Sequence, residues 1–128
     1  MEHVLDRTRV VEQLYQGYLE AHDLLAAGTS PGDIPELADF SARLDEDTTF
    51  HFPSLGLALR GREAIERVMV EARQHLGLRE TSEQRFAHGD LVVSLNRTTT
   101  AGGAEGAPVV AVFAFDGERV TGFWGFSG

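Results

Sequence analysis

Two side chains in this sequence have the chemistry to move a proton or to hold an oxyanion on an organic molecule. His51 is of the side-chain type that exchanges a proton near neutral pH, which makes it a candidate general base. Arg97 carries a permanent cation whose planar fork suits a carboxylate or enolate oxygen. Tyr15 and Tyr18 add two hydroxyls on the apolar side of a helical segment, where packing with a satisfied O–H is the ordinary role. Strand alternation decides which way the first two point. Over residues 91–100 the more apolar parity is Leu91, Val93 and Leu95, and Arg97 continues it, so Arg97 is expected to face inward. A slip of the ladder at the following glycine-rich turn would send it to the solvent rim instead. His51 is one residue off Phe52, so a regular strand faces it away from the side Phe52 takes; a bulge beside Pro53 would reverse that.

Composition excludes much else. There is no cysteine, hence no disulfide, thiolate nucleophile or thiolate metal ligand. All eleven basic residues are arginine, so no side-chain amine is available for Schiff-base chemistry. His22 and Asp23 are neighbours on a helix and do not face each other. No histidine or carboxylate pair has spacing that demands a metal, and neither a metal nor a cofactor is expected. The glycine-rich turn at 101–107 lacks the lysine and strand–helix context of a phosphate loop. A net charge of −9 with scattered arginines argues against nucleic acid. The charged start and the lack of a long apolar run argue against a signal peptide or membrane span, so a cytoplasmic protein is expected. Abundant Arg, Ala and Gly without lysine suggests a GC-rich bacterial genome.

At 128 residues the chain forms one domain. A helix is predicted over 3–27, with Val4, Val11, Leu14, Tyr18, Ala21 and Leu25 on one stripe, ending at Gly28 to Gly32. A second is predicted over 34–44 with Asp33 as its cap, and a third over 62–76 ended by Gly77. Strands are expected at 48–52, 57–60, 78–87, 91–100, 108–115 and 119–126, the last two joined by Asp116-Gly117. Helices first and an antiparallel meander after them indicate an α+β fold.

The segments L-D-E-D-T-T-F-H-F-P, L-R-G-R-E-A-I, H-G-D-L-V-V and V-F-A-F-D-G-E-R-V-T-G-F-W arrive in an order that resembles the nuclear transport factor 2-like superfamily. That superfamily includes SnoaL-like polyketide cyclases, ketosteroid isomerases and limonene epoxide hydrolases. The resemblance implies a cone-shaped, mainly antiparallel curved sheet with about three helices on its concave side. It also implies a small hydrophobic ligand between sheet and helices, and a homodimer formed through the sheet's outer face.

At the family's catalytic carboxylate positions the chain carries Phe52, Ala111 and Gly125. The tyrosine that donates to the substrate oxygen in steroid-isomerase-like members falls on Tyr15 by one match of the first helix; another match puts Leu25 there. The implied pocket is lined by Phe52, Val93, Leu95, Ala111, Phe113 and Phe123, with Tyr18 as a polar contact. Two functions follow. One is a cofactor-free isomerase or cyclase acting on a polyketide- or terpenoid-like carbonyl compound, with Arg97, His51 and Tyr15 as its catalytic groups. The other is a non-catalytic module that binds a hydrophobic ligand or dimerises.

Overall fold

A computed structural model describes residues 5–100 and 102–127; His3 and Val4 of the first predicted helix, and Ala101 of the glycine-rich turn, lie outside them. Helix α1 spans Arg7–Glu20, its Asp6 cap accepting from the Arg9 N–H. The predicted single helix divides: the backbone leaves helical geometry at Ala21, and α2 runs His22–Ala26. That bend carries Leu25 fully into the core. Helix α3 spans Pro35–Ala42, with Pro35 in the first turn and Ile34, not Asp33, in the capping position. Asp33 belongs instead to a 3₁₀ turn over Pro31–Asp33. Helix α4 spans Arg62–Leu76, between Gly61 and Gly77 at φ 94° and 58°, values that side-chain-bearing residues rarely adopt. Asp45 folds the turn ahead of the sheet, accepting from the Asp47 and Thr48 N–H groups and pairing with Arg119.

Six strands follow: β1 Thr49–Phe52, β2 Leu57–Arg60, β3 Arg79–His88, β4 Leu91–Thr99, β5 Val109–Asp116 and β6 Arg119–Ser127. They form one curved sheet in the order β2-β1-β6-β5-β4-β3, antiparallel except for the parallel β1–β6 pair. The architecture is therefore α+β with a mixed sheet and four helices, one more than expected because the first is divided.

Register lines up whole rows of side chains. One row crosses the concave face as Ala87, Val92, Phe113, Phe123, Phe50 and Leu59. Its aromatic centre is buried under α1 and α3, where Phe113 meets Tyr15, Phe40 and Phe123 edge-on at ring distances of 6.1, 6.0 and 5.0 Å. The helices can sit this close because Gly17 lets α1 approach α3: a Cβ there would come within 2.6 Å of the Glu36 carbonyl oxygen. A second row, Phe86, Val93, Val112, Trp124, His51 and Ala58, crosses the convex face, with His51 stacked on Trp124 at 5.4 Å.

Candidate functional site

Strand parity is where the residue-level expectations divide. Ala111 and Phe113 face the concave side as predicted, and Phe52 and Phe123 join them. Strand β4 is turned the other way. Ser94 pairs with Ala111 and Asn96 with Val109, so Val92, Ser94, Asn96 and Thr98 point into the cone. Val93 and Leu95 lie on the convex face, contrary to the predicted lining. Arg97 goes with them. Its side chain is 57% exposed and pairs with Glu83 and Glu105, so it does not reach the cavity. His51 also faces outward, since β1 stays regular up to Pro53 and no bulge reverses it. The apolar side of β4 was a poor guide because its inward side is polar and satisfied by its own hydrogen bonds.

Between α4 and the sheet lie two adjoining spaces. The outer chamber, about 550 Å³, is largely apolar, with Leu57, Val68, Leu78, Val109 and Gly125 on its walls and His75 at its edge. The inner one, about 100 Å³, lies under α1 and is bounded by Tyr15, Tyr18, Phe50, Met69, Arg73 and Phe113. Phe52, Phe123 and Glu80 border both. Gly125 lines the outer chamber where two rings come close: a Cβ there would press on Phe123 at 3.0 Å and on Phe52 at 3.3 Å.

Glu80 and Arg73 are the ionisable groups that the sequence reading passed over. Both had readable signals. Arg73 lies four residues beyond Met69 and eight beyond Ile65, on the buried stripe of α4. Glu80 lies two residues past Leu78 and so shares its inward side. As a residue Glu80 is only partly buried, but its carboxyl is deeply so. Burial raises its pKa above the ordinary carboxylate value, opposed by the Asn96 hydrogen bond and by the positive charge of Arg73.

A chain of hydrogen bonds with one polarity ends on this carboxylate. Arg85 can only donate, and it gives a hydrogen bond to Ser82 Oγ at 2.9 Å. The Ser82 proton is then free for Ser94 Oγ at 2.7 Å, and Ser94 donates to Asn96 Oδ1 at 2.6 Å. The Asn96 amide donates to Glu80 Oε2 at 2.5 Å. Glu12 of α1 holds the far end through Arg85, at 2.6 Å. Every dipole in this series points its positive end toward Glu80, which favours the ionised form and partly offsets burial. An amide stands in the series, so it orients the carboxylate and does not carry protons away from it. The bulge between Ser82 and Gln84 makes the series possible, because it puts Glu80, Ser82 and Arg85 on one face.

The two tyrosines complete the polar set. Burial raises the Tyr15 pKa well above its usual value, with the Glu80 charge adding to it, and the hydroxyl lies against Asn96. Burial likewise pushes Tyr18 up to about 12, partly countered by Arg73, whose guanidinium lies 3.9 Å over the Tyr18 ring. Both phenols are therefore neutral donors at physiological pH. A proton acceptor and two O–H donors meet at one end of an apolar space. This set can take a proton from carbon and stabilise the enolate that forms.

A family model of the SnoaL-like domain matches residues 11–123. No curated protein matches the sequence. The fold is similar to that of an NTF2-like protein of unknown function from Cytophaga hutchinsonii, at TM-score 0.65 and 15% identity over 99% of this chain and 93% of that one. It is also similar to a proposed isomerase of the SnoaL-like family from Agrobacterium tumefaciens, at TM-score 0.64 and 21% identity over 90% and 94% of the two chains. A proposed polyketide cyclase from Sinorhizobium meliloti is similar at TM-score 0.63 and 17% identity, over 88% and 92%. No helix among the described residues is long and apolar enough to cross a membrane.

Proposed function

The chain belongs to the SnoaL-like domain family, and from that premise we propose that it catalyses proton transfer on an apolar carbonyl compound without a cofactor, as an isomerase or cyclase of polyketide- or terpenoid-like molecules. One observation carries this reading: the Glu80 carboxyl is buried on the wall shared by both chambers, oriented by Asn96 and faced by donors. Glu80 acts as the base and returns the proton at a second carbon. Tyr15 and Tyr18 hold the developing enolate oxygen. The raised pKa brings the carboxyl closer to working pH, where a base is strong enough to act and still partly ionised.

The test needs no knowledge of the natural substrate. 2-Naphthylacetone, an apolar ketone with acidic α-hydrogens, is incubated with the protein in D₂O and followed by proton NMR. Exchange well above that in protein-free buffer is expected, rising with pH as Glu80 ionises. Exchange at the buffer rate alone would leave the second reading, a ligand-binding module without turnover. What favours that alternative is the inward face itself, where Phe52, Ala111 and Gly125 stand and none carries an acid or base.

The assembly belongs to the same proposal. Two copies pair through the convex face, where Phe86, Leu91, Val110 and Phe126 are exposed. Sedimentation equilibrium should return twice the 14.0 kDa chain mass. Val112→Arg, placed mid-face, should return a folded monomer. A wild-type protein that stays monomeric at tens of micromolar removes the pairing.

A further inference from the structure

The proposed reaction does not use Arg73, and burying a guanidinium is costly unless something answers it. Arg73 is 6% exposed. One of its nitrogens, Nη1, donates to the Met69 carbonyl at 3.2 Å. Its Nε–H is buried and has no partner. No acid among the described residues pairs with it directly, and Glu80 acts on it only from a distance. The guanidinium lies 3.9 Å over the Tyr18 ring, and Arg73 borders the inner chamber. A buried cation without an acid partner, on the wall of this chamber, is what an anionic oxygen would complete.

We infer that the inner chamber is a carboxylate subsite: the ligand is an apolar acid whose carboxylate docks on Arg73 while its apolar body fills the outer chamber. The inference rests on the cone being the ligand site, as proposed above. The sizes agree with it, since about 100 Å³ accepts a head group and about 550 Å³ accepts a body of one or two rings.

The test compares 2-naphthylacetic acid with 2-naphthylacetone, which differ only in the head group, by calorimetric titration at pH 6. Wild-type protein is expected to bind the acid about tenfold tighter or more, as a charge-assisted hydrogen bond in a dry site requires. Arg73→Met should abolish that preference and leave ketone affinity unchanged, and Arg73→Lys should keep part of it. Equal affinities for the two probes in the wild type, or a methionine variant that weakens both alike, overturns the subsite and leaves the ligand cavity standing. Failure of both probes to bind overturns the cavity reading and the subsite together. If the methionine variant does not fold, the wild-type ratio and the lysine variant decide.

Discussion

Glu80→Gln should slow α-hydrogen exchange in 2-naphthylacetone by at least about 100-fold, the lower end of what a positioned general base contributes. Glutamine keeps the shape of glutamate and keeps an acceptor for the Asn96 amide, so the hydrogen-bonded series from Arg85 retains its terminus. What it loses is the ability to hold a proton taken from carbon. The same substitution makes an opposite prediction for stability. The folded-state pKa of Glu80 lies above its unfolded value. Between the two values the native chain keeps a proton that the unfolded chain has released, so this group lowers stability as pH rises through that window. Glutamine carries no such penalty. The variant should therefore melt higher than wild type at pH 8, with the advantage vanishing toward pH 3, where both forms are neutral. Slow exchange together with a lower melting temperature at pH 8 would mean that Glu80 supports the fold and not the chemistry.

Phe113→Ala should cost about 3–5 kcal/mol, the range for removing a large aromatic ring from a well-packed interior. The ring is fully buried and touches Tyr15 of α1, Phe40 of α3 and Phe123 of β6, so it joins two helices to the sheet at one point. Those contacts come from three separate stretches of chain, which cannot all move to close the gap. Urea unfolding with an unchanged slope would report the loss directly. Phe113→Leu should lose distinctly less. An alanine variant within about 1 kcal/mol of wild type would show that helices and sheet are not joined there.

What could be read from the sequence follows how local each determinant is. Helix α4 was legible to the residue because its limits are set by Gly61 and Gly77, each within the helix's own neighbourhood. Strands β2 and β5 came within a residue of their observed limits for the same kind of reason: turn residues flank them. The inward direction of β4 was not local. It depends on how β4 meets β5 across residues 100–108, where among the described residues one bridge, Thr99 to Glu105, ties the hairpin. Without that pairing, hydrophobicity was the remaining guide, and it chose Val93, Leu95 and Arg97 over the polar residues that actually line the cone. The bend at Ala21 was hidden by apolar spacing that continues unbroken through it. For the candidate site the sequence offered its apolar and phenolic parts. Its two ionisable groups, Arg73 and Glu80, had signals in the α4 stripe and in the side that Leu78 takes, but a charged residue type outweighed position there.

Trp124 gives this architecture a built-in optical division. It is the chain's one indole, and it lies on the convex face, stacked on His51 and spread over the space that Gly122 leaves open. The phenols are placed the other way, with both tyrosines on the inner side of the helices, lining the inner chamber. Excitation at the red edge of the aromatic band therefore reads what covers the back of the sheet and is nearly blind to what enters the cone. Tyrosine absorbance reads the interior. A dilution series followed at the indole and a ligand series followed at the phenols would separate self-association from binding in unlabelled protein.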